Sequence, residues 1–290
     1  MIPGFVIFLR EGVEASMIVA ILLAYLDRVG QRRHFRDVLV GVAAALLLAL
    51  AGGVAAFLSL RRYAGSTVQT VFETATYLVA FALLTYMTFW MRRHARTLSH
   101  ELRQRLDRAL GRRARWSLGL LAFQAVGREG LETVVFTLAI VFAAGPTSAV
   151  PVPATTGAGA VLLGGGLGLL AAIGTAVAIY RLGRRLNLAR FFQLLGALLM
   201  VFAAGLLADA VENLQQLGWL PVLDHPVWNT GAWLSEASPL GDILHSLVGY
   251  ASQPTPLQIL AWAVYLGIAL AAFLGVGSAR RRGAGPASAA

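Results

Sequence analysis

The sequence is dominated by apolar runs of 18 or more residues, the length a helix needs to cross the hydrocarbon core of a bilayer. Seven such spans can be drawn, at roughly 4–26, 37–60, 67–91, 116–144, 157–181, 191–211 and 256–277. No long polar stretch separates them, so residues 1–290 read as one all-α transmembrane domain with no soluble domain attached. Charged residues make up 13% of the chain, against about 25% in a soluble globular domain.

The charges that remain are sorted by side. The formal net charge of +10 comes from arginine alone, since the chain has no lysine. Arg28, Arg32, Arg33 and Arg36 follow the first span, and nine arginines lie from Arg92 to Arg115 after the third. Arg181, Arg184, Arg185 and Arg190 follow the fifth, and Arg280, Arg281 and Arg282 lie in the tail. The alternate connections hold only Arg61 and Arg62. Basic loops stay on the cytoplasmic side, which places the N-terminus outside and the C-terminus inside. Arginine used this way orients a membrane protein, and no nucleic-acid partner is expected. The absence of cysteine removes disulfides, thiolate metal sites and cysteine nucleophiles. A cleaved signal peptide is a poor fit, because Met1-Ile2-Pro3-Gly4-Phe5 has no positive region and Arg10, Glu11 and Glu14 interrupt the run behind it. That run is expected to be the first spanning helix.

The segment from Asp209 to about Pro256 reverses the sign. It carries Asp209, Glu212, Asp224, Glu236 and Asp242 with no arginine, on the side assigned as external, where an acidic surface attracts cations. The chain also repeats itself. Arg10-Glu11-Gly12-Val13-Glu14 in the first span is matched by Arg128-Glu129-Gly130-Leu131-Glu132 in the fourth. Phe72-Glu73 at the start of the third span is matched by Phe192-Gln193 at the start of the sixth. The second and fifth spans are both rich in glycine and alanine, which lets helices pack closely. Repeat one covers about 4–91 and repeat two about 116–211, with a last helix at about 256–277. Three spans is an odd number, so the second unit enters from the opposite side. Such inverted repeats place their binding site near the midplane between the two halves.

Ionised side chains inside the spans are the informative feature. Each costs about 2.5–3.5 kcal/mol at the centre of a membrane helix. Arg10, Glu11, Glu14, Glu73, Arg128, Glu129 and Glu132 all fall inside predicted spans, so they are expected to face the bundle interior, pair, or meet an ion. Helical spacing puts Glu11 beside Glu14 and Arg10 one turn from Glu14, and the second motif likewise. Two antiparallel helices crossing there would gather four carboxylates and two guanidiniums, and Glu73 would bring the formal sum to −3. In a soluble helix one Arg-Glu-x-x-Glu is an ordinary ion pair. Two copies centred in apolar spans point instead to a cation site. Gly12 and Gly130, between the carboxylates, permit either close helix approach or a local break. Carboxylates are hard ligands, suited to iron, manganese, magnesium or calcium. The histidines His34, His94, His100, His225 and His245 fall in predicted loops, which argues against a membrane haem. His225 and His245 read as surface residues placed where they could assist metal capture.

The paired motifs at 10–14 and 128–132 resemble the Arg-Glu-x-x-Glu signature of the oxidase-dependent iron permease family, which includes the fungal high-affinity iron permeases and bacterial EfeU-type transporters. The resemblance continues in Thr85-Tyr86-Met87-Thr88-Phe89-Trp90-Met91, and in Ala203-Ala204-Gly205-Leu206 leading to Asp209-Ala210-Val211-Glu212. It extends to Gly241-Asp242-Ile243-Leu244 and Gly249-Tyr250, and covers residue 4 to about 277. It implies an iron-translocating role for Glu11, Glu14, Glu129 and Glu132, with Arg10 and Arg128 supporting them. It further implies external iron capture by Asp209 and Glu212, a contribution from Glu73, and an extracytoplasmic partner that oxidises or delivers iron. Asn229 stands where an aspartate is expected in relatives and takes no ligand role.

The expectation is an iron permease of the cytoplasmic membrane, not an enzyme, with iron as substrate and no resident cofactor. Membrane lipid surrounds it, and a homo-oligomer is compatible with the sequence. A general divalent carrier of the manganese type would use the same hard ligands. A membrane iron oxidoreductase would want the Glu-x-x-His pairing of di-iron bundles, which these motifs lack.

Overall fold

The structure is a computed structural model that describes residues 2–61, 63, 65–94, 104, 114–143, 157–182, 188–236 and 238–282. Among the described residues there is no strand. α1 spans Ile2–Arg28, α2 Phe35–Arg61, α3 Thr67–His94, α4 Ala114–Ala143, α5 Gly157–Leu182, α6 Leu188–Gln216, α7 Pro239–Val248 and α8 Pro256–Arg282. A helix satisfies its own backbone donors and acceptors, which is what apolar sequence requires where water cannot. The threonines follow the same rule. Thr74, Thr76, Thr85, Thr133 and Thr137 each donate a hydroxyl back to the carbonyl four residues earlier.

Among the described residues four helical stretches are long and apolar enough to cross a membrane: Arg32–Ser59, Thr67–Arg92, Gln193–Gln216 and Pro256–Phe273, with mean hydropathy 2.5, 1.3, 2.3 and 1.8. The sequence suggested seven. α1 and α4 fall short because each carries an arginine and two glutamates in its middle turns, and in α5 the apolar stretch among the described residues is Val161–Thr175. α6 is the most enclosed of the four, and α2 and α8 the least. Leu46, Leu47 and Leu50 on α2, with Leu162, Leu167 and Leu170 on α5, point outward. An exposed apolar surface of this kind asks for lipid or a partner.

α1 lies along α5 and α2 along α4, while α3 packs on α6 and α1 crosses α4. α8 and the short α7 both pack against α6. Glycine sets the close spacing of the first two pairs: a Cβ on Gly4 would stand 2.6 Å from the carbonyl oxygen of Val161, and Gly41 meets the backbone at Gly119. Two of the apolar clusters among the described residues lie on either side of the middle of α1, and a third, of Met200, Ala269 and Phe273, joins α6 to α8. Val6, Ile7, Tyr77, Leu84, Phe136, Ile140, Leu199 and Phe202 gather toward the N-terminal end of α1. Ile18, Leu22, Leu26, Val38, Leu118 and Ala122 gather toward its C-terminal end. The charged turns of α1 and α4 lie between these two layers.

After α6 the chain folds into an ordered cap. Ser238 caps α7 by accepting a hydrogen bond from the Gly241 N–H, Pro239 occupies the first helical turn, and Gly249 ends the helix at φ +75°. Gly249 rests on Gly205 of α6, where a Cβ would lie 2.8 Å from the Gly249 nitrogen. The cap is tied down by Val227 N–H to the Pro254 carbonyl at 2.9 Å, and by the Trp262 indole to the Val248 carbonyl at 2.7 Å.

Candidate metal centre

The two Arg-Glu-x-x-Glu turns meet where α1 crosses α4. Their glycines explain how. A Cβ on Gly12 would lie 2.7 Å from the Cβ of Ala172 on α5, and one on Gly130 would lie 2.9 Å from the Cβ of Ala49 on α2. Each glycine therefore lets one face of its helix sit close on a neighbour, while the glutamates, about 100° per residue further round, face the crossing. Both helices run unbroken through the motif, so packing accounts for these glycines and a local break does not occur.

At the crossing, carboxylate oxygens of Glu11, Glu14 and Glu129 lie within 4.8 Å of one another. Arg10 Nη1 donates to Glu11 Oε1 at 2.9 Å, and Arg10 Nε stands 3.2 Å from Glu14 Oε1. Arg128 Nε donates to Glu132 Oε1 at 3.0 Å. Arg10 and all four glutamates are buried. Each glutamate nonetheless keeps an oxygen without a hydrogen bond: Glu11 Oε2, Glu14 Oε1, Glu129 Oε2 and Glu132 Oε2. Removing an ion from water costs several kcal/mol even after relaxation, so a buried network that serves only structure tends to balance its charges. Here four carboxylates face two guanidiniums, a formal −2. Three close carboxylates, two of them with an oxygen that neither hydrogen-bonds nor pairs with an arginine (Glu11 Oε2 and Glu129 Oε2), form a set able to ligate a hard cation.

Glu73 is not part of this group, so the single cage of −3 expected from the sequence is divided. Gln69 Nε2 donates to Glu73 Oε1 at 2.6 Å, near the start of α3. One turn on, the buried Tyr77 lies within electrostatic reach of Asp209, Glu73 and Glu212. This second group sits under the cap because α3 packs on α6. Asp209 is buried and lines a cavity of about 260 Å³ with Trp228, Tyr250, Gln258 and Trp262. Glu212 accepts hydrogen bonds from Gln258 Nε2 at 2.8 Å and Gln216 Nε2 at 3.1 Å.

His245 is not in a loop: it lies on α7, half-buried, with Nδ1 2.7 Å from the Tyr250 carbonyl oxygen. Burial alone would lower its affinity for a proton, but Asp209 and the Tyr250 carbonyl outweigh burial and hold it above the ordinary imidazole value. His225 is exposed beside Asp224, and Asn229 turns its side-chain oxygen to the Gly231 N–H. The side chain of Asp242 lies outside the described residues. Three contributors escaped the sequence reading. Gln258 carries no signal beyond being polar near the start of the apolar α8, and Met87 and Trp90, which both touch Arg128, stand out only as parts of a resemblance.

All-helical architecture with long apolar stretches, closed around a cluster of buried carboxylates, defines an α-helical integral membrane protein. The chain belongs to the iron permease FTR1 family, which it matches over residues 1–280. It is 33% identical over 275 residues to the ferrous iron permease EfeU of Escherichia coli O157:H7, covering 94% of this chain and 95% of that one. It is 35% identical over 275 residues to the ferrous iron permease EfeU of Yersinia pestis, covering 94% and 93%. No solved structure matches it. The family is one of transporters rather than enzymes.

Proposed function

We propose that this protein carries ferrous iron inward across the cytoplasmic membrane through the carboxylates of Glu11, Glu14 and Glu129, with Glu132 alongside. The observation that carries the reading is the buried −2 excess at the α1–α4 crossing, which one divalent cation neutralises. The names of the EfeU relatives support ferrous iron as the cargo. Iron is first drawn to the acidic cap and to Asp209, Glu212 and Glu73, then passes to the crossing, and leaves among the arginine-rich loops. Positive charge there repels a returning cation. A partner outside the membrane that oxidises or delivers iron would present it to the cap.

In this reading the single domain crosses the membrane seven times, with α1–α3 and α4–α6 as inverted repeats, α8 as the last span and α7 in the outer cap. Packing supports the repeat. Exchanging α1 with α4, α2 with α5 and α3 with α6 turns the α1–α5 pair into α4–α2, and leaves α3–α6 and α1–α4 as they are. The Gly12–Ala172 contact likewise becomes Gly130–Ala49.

Radioactive iron uptake into proteoliposomes tests the proposal, comparing wild type with Glu14→Gln and Glu132→Gln at matched protein levels. Ferrous iron, ferric iron and manganese are each supplied. Iron-selective uptake lost on either substitution is expected. Uptake that survives both would reduce the motifs to structural ion pairs.

A further inference from the structure

The two motifs have the same residue order, yet their arginines pair differently. Arg10 meets both of its own glutamates, Glu11 and Glu14. Arg128 pairs with Glu132, and no ion pair joins it to Glu129 among the described residues. The difference lies in what else each guanidinium touches. Arg128 Nη2 stands 2.7 Å from Met87 Sδ, and its guanidinium carbon lies 5.1 Å from the centre of the Trp90 ring, both on α3. Its side chain is 43% exposed where that of Arg10 is 4%.

Among the described residues Arg10 has no such ring or thioether contact. Glu11 and Glu129 are 118 positions apart, and Glu73 and Gln193 are 120 apart. Those offsets place Gly205 or Leu207 opposite Met87, and Ala208 or Ala210 opposite Trp90. None of the four carries a ring or a sulfur, so Arg10 turns to its own glutamates.

We infer that Trp90 and Met87 are positioning residues that hold Arg128 away from Glu129 and so leave that carboxylate to join Glu11 and Glu14 around the ion. This rests on reading the α1–α4 crossing as the cation site. The consequence is visible in the geometry. Glu129 keeps Oε2 without a hydrogen bond, and it is the α4 carboxylate found within 4.8 Å of Glu11 and Glu14. The holding groups suit the task. Tryptophan offers the best aromatic face for a cation, and a thioether is a weak acceptor with no charge of its own. Together they retain the guanidinium without adding negative charge to the cluster.

The test is ferrous iron binding to purified protein by anaerobic calorimetry, paired with uptake kinetics in proteoliposomes. Trp90→Ala frees Arg128 to fall onto Glu129, and the dissociation constant and KM should rise roughly three- to ten-fold while kcat holds within about two-fold. Trp90→Phe keeps a ring and should stay near wild type. On an Arg128→Gln background, Trp90→Ala should weaken binding no further, because the residue it acts through is gone. Equal weakening on both backgrounds, or none on the wild-type background, overturns the inference. Met87→Leu conserves volume and covers the case in which Trp90→Ala does not fold. It should weaken binding in the same direction, and unchanged binding counts against the inference. Glu129→Gln separates this inference from the reading beneath it. Full uptake in Glu129→Gln would defeat the cation site itself, whereas lost uptake there with unchanged Trp90→Ala and Met87→Leu would defeat only the positioning role.

Discussion

Arg10 shows how far a single side chain is committed to this site. It is buried and contributes a cation to each of two carboxylates. Removing one partner of a buried pair costs roughly 3–5 kcal/mol, because the other charge is left uncompensated. Arg10→Met should therefore lower thermal stability strongly in metal-free detergent solution. Added ferrous iron should restore part of the loss, giving a larger iron-induced rise in Tm than in wild type. An iron response equal to wild type would mean that the ion does not sit beside Arg10. His245 makes a second prediction, in the cap. Its raised proton affinity means that the charged imidazole stabilises the fold fully below about pH 6.5, and that this contribution fades as pH climbs through the raised value. Metal-free wild type should be more stable than His245→Gln at low pH, with the gap closing as pH rises, as read by differential scanning fluorimetry. A gap that widened with pH would refute the pairing with Asp209.

At the scale of elements, glycine decides how near the helices come. Gly→Ala inside a helix usually stabilises by about 0.5–1 kcal/mol through the unfolded chain. Gly166→Ala should behave this way, because nothing lies within 4 Å of its added methyl. Gly12→Ala should do the reverse, costing about 1–3 kcal/mol as the methyl drives α1 off Ala172. It should also slow iron uptake, since α1 carries Glu11 and Glu14 with it. Ala172→Gly on the same chain should recover both, and failure to recover either would show that α1–α5 spacing does not set the site. Much of this layer was legible beforehand. The apolar runs and their basic ends located the long helices, and the doubled motif located the crossing. The pairing of α3 with Arg128 was not legible, because spacing along one helix carries no information about which neighbour crosses it or at what height. The same reason misplaced Glu73: lying inside the third span, it was counted with the crossing carboxylates, while the packing of α3 on α6 sets it beside Tyr77 with Asp209 and Glu212. The cap was missed because α7 is only 10 residues long and its start depends on Ser238 and Pro239 rather than on any periodic pattern.

For the molecule as a whole, the two apolar clusters flanking the middle of α1 and the charged layer between them form one argument. A helix carrying an arginine and two glutamates in mid-span would be costly in lipid alone, and α1 and α4 each carry that set. Each covers the other, and α5 and α2 close over their backs. In the proposed topology the charged turns shield one another as a crossing pair, and one motif without its copy would leave its charges facing lipid. If that is right, α1 must truly cross, despite failing the apolarity that α2, α3, α6 and α8 meet. The chain has no cysteine, so single introduced thiols report sidedness without background. Ile2→Cys, Thr67→Cys and Val227→Cys should react with a membrane-impermeant maleimide applied to the outside of intact cells. Val29→Cys should react only when the cytoplasmic face is opened to the reagent. Ile2 and Thr67 on opposite sides would mean that α1 does not cross, since α2 fixes Val29 opposite Thr67. The two halves would then no longer enter from opposite sides, and the inverted repeat would fall with them.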